Sequence, residues 1–457
     1  MYSDSPNKPA ANPARRRFMR DTTLATAAAA AGAAGLGAVL PQTTQAAPMI
    51  GGGGGWLPVP KAKGPRVVVV GGGTAGLTLA KYLKKENPGF DVLLLEKRSQ
   101  YQSCFCSNLW YPDVVNMEYL ANHSYIDAAQ NNGYIYYNCT VTGVDRDAKR
   151  LYTNMGQVMY DFLAICPGID YDFTRFGIPA DDLDTQFACR QRFPGGWIQP
   201  TEQVAVRNKI QGFAGGTFVV TVPTGNYRCL PSPYERTCVI AGWMKKNRIK
   251  GKVLLLDPNP DIVIKAKGFH AAFDELYKDY VVYQPSTTIK GVDPFKKVIH
   301  GEIDDYAFDD ATLYPGVQGA YIIQQMGLVS PDSTQREANI DPFHYNIKGD
   351  PYVYVSGDAR PMGYSKSANT ANTEAHYVAK VIASRAKDKD ARIPWESPET
   401  LCYSMVDLQP NKAIYVDAHY NPKTFGFANV KEDDTRSVAN AAAYLAWGKG
   451  LYADMFT

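Results

Sequence analysis

The chain has 457 residues, of which 45% are hydrophobic and 20% are charged, and its formal net charge at pH 7 is +3. The first 47 residues account for all of this positive charge, so the remainder, about 410 residues, is close to neutral. Such a chain lacks the basic surplus that binds phosphate backbones, which argues against nucleic-acid binding as its main activity, and its length predicts two or three domains.

The N-terminal segment has the pattern of a twin-arginine export signal. Arg15-Arg16-Arg17-Phe18 precedes an apolar, alanine-rich run from Thr22 to about Leu40. A membrane anchor is the alternative, but a run of alanine and glycine inserts more weakly than a leucine-rich span. We therefore predict that residues 1–47 are a cleaved signal peptide, that residues 48–63 are a flexible linker, and that the protein is exported folded to the periplasm.

A glycine-rich turn follows the first predicted strand. The apolar residues 66–70 lead into Gly71-Gly72-Gly73-Thr74-Ala75-Gly76, and a helix is predicted directly after it. In this spacing Gly71 permits a tight turn, Gly73 lets the backbone approach a pyrophosphate, and Gly76 lets the helix pack against the strand. The pattern predicts a dinucleotide site.

The next predicted strand supplies the confirming acid. Residues 91–95 are apolar and end in Glu96, where a carboxylate can accept both ribose hydroxyls of a nucleotide. The predicted cofactor contacts at this end of the site are Gly71, Gly73, Thr74, Ala75, Gly76, Glu96 and Lys97.

Two later segments favour FAD over NAD, which the glycine motif alone does not distinguish. Residues 352–358 predict a strand ending in Gly357-Asp358, as two-dinucleotide-domain flavoproteins use to hold the ribityl chain of the flavin. Residues 162–168 end in Pro167-Gly168 and resemble the crossover segment of the same class. The predicted cofactor is FAD, with further contacts from Pro167, Gly168, Gly357 and Asp358.

A second nucleotide-type fold is predicted without a glycine fingerprint. The predicted strand 217–222 is followed by Pro223-Thr224-Gly225-Asn226-Tyr227-Arg228-Cys229. Because a nicotinamide dinucleotide needs a close backbone cradle, this sequence argues against an NAD(P)H-dependent reductase.

The order of predicted elements indicates an α/β fold with two Rossmann-like dinucleotide-binding domains, the first split in sequence, and a smaller C-terminal interface domain. The predicted FAD-binding domain comprises residues 64–185 and 287–388, and the second Rossmann-like domain comprises residues 186–286. Residues 389–457 form the interface domain, with a predicted strand at 413–418 and a predicted helix at 437–451.

Four separated segments carry a family resemblance. They are Ser103-Cys104-Phe105-Cys106-Ser107-Asn108, the run from Tyr227 to Arg236, Gly357-Asp358 with Lys366-Ser367, and Ala446-Trp447 to Phe456. In this order they resemble the flavoprotein subunit of flavocytochrome c sulfide dehydrogenase, a relative of sulfide:quinone oxidoreductases. The resemblance implies a periplasmic FAD-dependent enzyme that oxidises sulfide or a related sulfur compound and passes the electrons to a c-type cytochrome subunit.

The resemblance also implies how the flavin is held. In the family the first cysteine of the Cys-aromatic-x-Ser-Asn segment is bonded covalently to the flavin ring, which points to Cys104 here. Cys106 occupies a position that is usually apolar, and no nearby histidine or further cysteine completes a metal site with it, so no metal is predicted. Asn108, Lys366 and Trp447 are implied to contact the cofactor, although core packing is an equal alternative for Trp447.

The resemblance makes Cys229 one half of a redox-active disulfide on the face of the flavin, where hydrosulfide can attack it. The second cysteine of the family would fall at about Ala338, but no cysteine occurs between Cys238 and Cys402. Three alternatives stay open. Cys189 replaces the partner, Cys229 acts alone as a persulfide-forming thiol, or sulfide chemistry has been lost and the flavin oxidises another compound. The predicted catalytic pair is Cys229 and Cys189.

The predicted electron acceptor is a separate molecule, because the chain has no Cys-x-x-Cys-His motif for covalent haem. The resemblance implies a heterodimer with a c-type cytochrome that carries haem c. A quinone is the rival acceptor, and it requires a membrane-seeking C-terminus, whereas residues 441–457 are only moderately apolar. The alternative function is a flavoprotein of the same family with an altered substrate or only an electron-transfer role. The remaining cysteines are Cys139, Cys166 and Cys238, which are predicted core residues, and Cys402 in the last domain.

Overall fold

The computed structural model describes residues 54–457, so the predicted signal peptide and residues 48–53 of the predicted linker lie outside the described residues. The strands of the described part are, in chain order, β1 (Arg66–Val70), β2 (Asp91–Glu96), β3 (Ile135–Asn138), β4 (Val141–Asp145), β5 (Arg150–Thr153), β6 (Gly156–Met159), β7 (Phe162–Ile165), β8 (Ile169–Asp172), β9 (Gly216–Thr221), β10 (Gly251–Leu256), β11 (Val281–Gln284), β12 (Ile289–Asp293), β13 (Val298–Gly301), β14 (Asp305–Ala307), β15 (Asp310–Thr312), β16 (Gly316–Gly319), β17 (Val353–Val355), β18 (Thr400–Leu408), β19 (Asn411–Tyr420) and β20 (Phe427–Ser437).

The α-helices of the described part are, in chain order, α1 (Thr74–Glu86), α2 (Ser107–Trp110), α3 (Met117–Ala121), α4 (Tyr125–Asn132), α5 (Leu183–Arg192), α6 (Pro200–Gly212), α7 (Ser232–Lys246), α8 (Ala266–Ala271), α9 (Tyr321–Gln325), α10 (Ala368–Lys387) and α11 (Val438–Phe456). A 3-10 helix at Phe173–Phe176 and a π-helical turn at Ala272–Leu276 complete the set.

The first domain contains a five-stranded parallel sheet with the strand order β17-β7-β1-β2-β3. Val67, Val68 and Val69 of β1 are completely buried, as expected for a central parallel strand covered on both faces. Helices α1 and α10 pack against each other beside this sheet. Because β17 comes from a part of the chain far beyond β7, the domain is split in sequence as predicted.

The central domain contains a second sheet with the strand order β11-β10-β9-β15. The edge strand β15 pairs in parallel with β9, with Asp310 opposite Phe218. Strands β12, β13 and β14, which come just before β15 in the chain, form a separate antiparallel sheet. The prediction that the chain returns to the first domain at residue 287 is therefore wrong. The return follows Thr312, because the short strands between 289 and 312 belong to the central domain.

The C-terminal domain is an antiparallel sheet of β18, β19 and β20 followed by α11. The predicted strand lies within β19, and the predicted helix continues to Phe456. Near the end of α11, the Asp454 carboxylate accepts hydrogen bonds from the Tyr82 hydroxyl at 2.8 Å and the Asn372 amide at 2.7 Å. Nε2 of His376 lies 2.9 Å from the same carboxylate. These contacts hold α11 against α1 and α10 of the first domain.

The predicted α/β fold is confirmed by these two parallel sheets and the smaller third domain. Within residues 54–457, no helix combines the length and the apolar character that a membrane crossing needs.

Candidate functional site

A cavity of about 440 Å³ lies where the first, central and C-terminal domains meet. Its volume is in the range of cofactor-binding sites, and its walls are mainly apolar. The lining residues come from the β1–α1 turn, the end of β2, the segment before α2, the end of β7, the β9–α7 turn, the end of β17, and strand β18 with helix α11. The cavity therefore brings together nearly every segment that the sequence analysis selected.

The glycine turn has the geometry that a pyrophosphate cradle requires. Gly71 has φ +102°, and a Cβ atom there would lie 2.4 Å from the carbonyl oxygen of Cys166. A Cβ on Gly76 would lie 1.8 Å from the Gly71 oxygen, so only glycine allows this close packing of α1. A Cβ on Gly73 would meet no protein atom within 4 Å. Gly73 thus leaves room for a ligand at the N-terminus of α1, beside Thr74 and Ala75.

The acid at the end of β2 is fixed by its neighbours. Glu96 accepts the Gly72 backbone N–H at 2.6 Å, the Arg98 backbone N–H at 2.8 Å and Nε of Arg98 at 2.9 Å. Burial opposes ionisation, but the charge of Arg98 and these hydrogen bonds hold the pKa of Glu96 below its ordinary value. Glu96 and the adjacent Lys97 both line the cavity, where an ionised carboxylate can accept hydroxyl hydrogen bonds.

The ends of β7 and β17 form the opposite wall. Pro167, Gly168, Gly357 and Asp358 all line the cavity, as predicted for cofactor contacts. Gly357 has φ +79°, a conformation that favours glycine. Asp358 accepts a hydrogen bond at 2.6 Å from Nε of Arg228, so the β9–α7 turn of the central domain is tied to the first domain at this wall.

Lys366 does not line the cavity, which corrects its predicted role as a direct contact. Its ammonium group is buried and donates to Oε1 of Glu337 at 2.5 Å and to the Asp358 carbonyl oxygen at 2.7 Å. The backbone of Lys366 also accepts the Cys229 N–H at 2.8 Å. Lys366 therefore positions Asp358 and Cys229 from behind, a role that its place in the sequence motif could not distinguish from a direct contact.

The segment before α2 presents two cysteines to the cavity. Cys104 Sγ lies 3.6 Å from the Trp197 carbonyl oxygen, and burial raises the pKa of Cys104 although the nearby Arg228 opposes this. Burial raises the pKa of Cys106 as well, and its Sγ lies beside Gly448 of α11. The Asn108 amide donates to Oε2 of Glu235 at 2.7 Å. Both thiols and Asn108 are thus part of the site.

The orphaned polar atoms of the site indicate a bound group. Ser107 Oγ and Trp197 Nε1 are buried and have no hydrogen-bond partner within the described protein, and both residues line the cavity. Buried donors and acceptors are normally satisfied, so these atoms fit a ligand rich in polar atoms. Together with the open space at Gly73, they fit an FAD molecule.

The tryptophan predicted near the flavin also lines the cavity. Trp447 Nε1 donates to Oδ1 of Asn369 at 2.9 Å, and its ring packs edge to face against Phe105 with centroids 5.9 Å apart. It is thus both packed and exposed to the cavity.

The redox cysteines differ from the predicted pair. Cys189 is completely buried on α5 within the core of the central domain, where burial raises its pKa to about 12, and it does not line the cavity. Cys229 does line the cavity, where it packs against a small buried cluster that includes Cys402 on β18. The predicted Cys229–Cys189 pair is therefore corrected, because α5 buries Cys189 away from the site.

Ala338 occupies the sequence position of the family's second cysteine and does not line the cavity. It is completely buried in the core of the first domain, and its backbone N–H donates to the Ala359 carbonyl at 2.9 Å.

Glu235 and Tyr444 are site residues that sequence reasoning missed. Glu235 lies in the first turn of α7, and its Oε1 accepts the Met405 backbone N–H at 2.7 Å. Burial raises the pKa of Glu235, although the Asn108 and Met405 hydrogen bonds oppose it, so this carboxyl can hold a proton beside the cysteines. Its signal was the Pro-Tyr-Glu-Arg run, which the sequence analysis used only to identify the family.

Comparisons with known proteins agree with this site. Residues 203–312 match the family model for the central domain of the sulfide dehydrogenase [flavocytochrome c] flavoprotein chain, and residues 65–191 match that of the pyridine nucleotide-disulphide oxidoreductases. A curated flavoprotein chain of sulfide dehydrogenase [flavocytochrome c] from Chlorobaculum thiosulfatiphilum is 49% identical over 43 residues, which are 9% of this chain and 90% of that sequence.

Solved structures share the fold at low sequence identity. The sulfide:quinone oxidoreductase of Aquifex aeolicus superposes with a TM-score of 0.69 and 14% identity, covering 85% of this chain and 92% of that one. An NAD-dependent persulfide reductase from A. fulgidus superposes with a TM-score of 0.57 and 13% identity, covering 85% of this chain and 77% of that one.

Proposed function

Because the chain belongs to the flavoprotein family of flavocytochrome c sulfide dehydrogenases, we propose that it is a periplasmic enzyme that oxidises sulfide and passes the electrons to a c-type cytochrome subunit. It is an FAD-binding oxidoreductase of this family. The single observation that carries the choice of substrate is Cys229, a thiol that packs against the cluster containing Cys402 in the wall of the cofactor cavity.

Some residues of the cavity would bind the cofactor, and others would bind the sulfur substrate. Gly73 and the N-terminus of α1 would hold the pyrophosphate, Glu96 the ribose and Asp358 the ribityl chain. Bound FAD supplies a two-electron acceptor. When Cys229 is part of a disulfide, it would accept the sulfur atom of hydrosulfide as a persulfide while the other sulfur of that disulfide leaves as a thiolate, and Glu235 holds a proton nearby.

The proposed substrate is tested by anaerobic titration of the purified holoprotein with sulfide. We expect the oxidised flavin absorbance to be lost in the wild type and in Cys238→Ser, since Cys238 is buried on α7 and does not line the cavity. Cys229→Ser should keep its oxidised spectrum with sulfide but lose it with dithionite. An unchanged wild-type spectrum would refute sulfide oxidation and favour a family member with another substrate or only an electron-transfer role.

We also propose that Cys104 carries the flavin covalently. Two features support this choice: Cys104 lines the cavity, and it is the first cysteine of the Cys-aromatic-x-Ser-Asn segment. After acid denaturation, the flavin should stay on the polypeptide of the wild type and of the matched control Cys106→Ala, but should separate from Cys104→Ala. Covalent flavin in Cys104→Ala would overturn the assignment.

The proposed acceptor and location are tested separately. With sulfide and catalytic amounts of the holoprotein, an added c-type cytochrome should be reduced faster than a soluble quinone analogue, and the reverse order would refute the choice of acceptor. For export, residues 1–47 placed before a folded reporter should deliver it to the periplasm, and replacing Arg15 and Arg16 by lysine should block delivery. Equal delivery of both reporters would contradict the twin-arginine prediction.

A further inference from the structure

We propose that Cys402 is the redox partner of Cys229, so that the sulfide-accepting disulfide joins the central domain to the C-terminal sheet. This inference rests on the proposed sulfide oxidation and names the residue pair that performs it. It replaces both Cys189 and a cysteine at position 338 as the partner.

The two thiols are brought together by the docking of strand β18 on helix α7. Cys402 lies near the start of β18, and Cys229 lies in the turn that precedes α7. Both side chains line the cofactor cavity, and Cys229 packs against the small buried cluster that Cys402 forms with Ile264 and Val416. All eight cysteines of the chain are free thiols in the structure.

The backbone at Cys229 is held in an unusual conformation. Its φ is +59°, which is uncommon for a residue with a side chain, and strained positions of this kind cluster at functional sites. The Cys229 N–H donates to the Lys366 carbonyl at 2.8 Å, and the Ser232 hydroxyl donates to the Cys229 carbonyl at 2.8 Å. These bonds fix the direction of the Cys229 side chain toward Cys402.

The surroundings of Cys402 make it the better leaving group of the pair. The buried Lys265 ammonium donates to the Cys402 carbonyl oxygen at 3.1 Å and to the Ser404 hydroxyl at 2.7 Å. The neighbouring Cys229 thiol and the charge of Lys265 hold the pKa of Cys402 below its ordinary value, although burial opposes them. The neighbouring Cys402 thiol, together with burial, raises the pKa of Cys229. A thiol of lower pKa leaves faster in disulfide exchange.

The chemistry balances with hydrosulfide as the reductant. One hydrosulfide attacks Cys229 Sγ, the bond to Cys402 breaks, and its electron pair stays on Cys402 as a thiolate, leaving a persulfide on Cys229. A second hydrosulfide takes the outer sulfur as hydrodisulfide, and Cys229 keeps the proton as a thiol. The pair then gives two electrons and that one proton to the flavin, and the Cys229–Cys402 bond forms again.

Cys106 is the competing partner. Its pKa is raised by burial and by the charges of Glu235 and Cys402, and the hydroxyl of Tyr444 lies among all three thiols. However, Cys106 belongs to the large core cluster of the central domain, and its Sγ lies beside Gly448 of α11. Cys229, in contrast, packs against the separate cluster that contains Cys402.

The test is a disulfide map of the full-length holoprotein. The oxidised protein is alkylated, denatured in acid and digested without reductant, and we expect one peptide pair joined through Cys229 and Cys402. Sulfide should abolish this pair and expose two additional thiols. Cys402→Ser should show no joined pair, whereas Cys189→Ser, the control at a buried thiol outside the cavity, should keep it. A Cys229–Cys106 pair, or full alkylation of Cys229 and Cys402 in the oxidised protein, would overturn the proposal.

The same variants separate this inference from the proposed function. If sulfide bleaches the flavin of the wild type and of Cys189→Ser at least tenfold faster than the flavin of Cys402→Ser, the results support both the Cys229–Cys402 pair and sulfide oxidation. If Cys402→Ser bleaches as fast as wild type, the pair is refuted and sulfide oxidation stands. If the wild type does not bleach, sulfide oxidation fails, and the disulfide map still decides the pairing.

Discussion

Two glycines of the β1–α1 turn differ in what a methyl group would meet, and this difference predicts separable defects. A Cβ on Gly76 would lie 1.8 Å from the Gly71 carbonyl oxygen and 3.0 Å from its carbon, so the backbone of the turn must move. Overpacking of this kind costs about 3 kcal/mol when the obstacle is backbone. Alanine has a higher helix propensity than glycine, which stabilises the helix by about 1 kcal/mol. We therefore expect Gly76→Ala to lower the free energy of unfolding by about 2 kcal/mol.

Gly73→Ala is the matched control. No protein atom lies within 4 Å of its added Cβ, and its φ of −78° suits any residue, so the protein itself should tolerate the change. The methyl group would instead occupy the space proposed for the pyrophosphate. We therefore expect Gly73→Ala to fold normally and to lose FAD.

The assay compares both variants as apoproteins in a Cys104→Ala background, in which the flavin is removable. A loss of about 2 kcal/mol should lower Tm by roughly 4–8 °C for Gly76→Ala, whereas Gly73→Ala should melt within about 1 °C of the parent. Flavin titration then measures cofactor binding. An unchanged Tm for Gly76→Ala would refute the packing reasoning, and full FAD binding by Gly73→Ala would refute the pyrophosphate assignment.

Two further predictions concern charged groups outside the cavity. Lys366→Met leaves the buried Glu337 carboxylate without its charged partner and should destabilise the protein by about 3–5 kcal/mol, as measured by urea unfolding. The control Lys380→Met breaks an exposed ion pair and should cost less than about 1 kcal/mol in the same assay. Equal losses of stability in the two variants would contradict the role of Lys366. Burial favours the protonated form of Asp454, but hydrogen bonds from His376 and two neighbouring side chains hold the pKa of Asp454 below its ordinary value. The stabilising effect of the Asp454 carboxylate is therefore present above about pH 4 and is lost as the pH falls further. Asp454→Asn should therefore lower Tm at pH 7 and differ less from the wild type at pH 3, and a difference that grows in acid would refute this assignment.

The first domain was predictable because its signals are local. The strand, the glycine turn, the helix and Glu96 follow one another within about thirty residues, and each has its own steric or polar reason. The ends of β7 and β17 were found in the same way. The boundary at residue 287 was misplaced because β12 to β14 are short strands in a sheet of their own, and β15 joins the central sheet only by pairing with the distant strand β9.

The thiol pair could not be predicted from the sequence because it depends on tertiary docking. Cys402 meets Cys229 only because β18 packs on α7, and no local pattern in either segment encodes that contact. Cys189 was the wrong choice for the same reason, since its burial on α5 follows from the packing of the central domain. Lys366 was placed in the correct region, but a sequence motif does not distinguish a side chain in the cavity wall from one behind it.

The wall of the cavity runs from Gly71 near the start of the described chain to Trp447 near its end. Neither the glycine turn nor the C-terminal helix encloses the cofactor alone. The wall formed by the ends of β7 and β17 is complete only after β17 has paired with β7. A ribosome-bound chain that lacks its last sixty residues therefore offers only a half-open groove. Cofactor capture must then be a late event in biogenesis, after synthesis is complete, and its rate should depend on how fast the two ends of the polypeptide find each other.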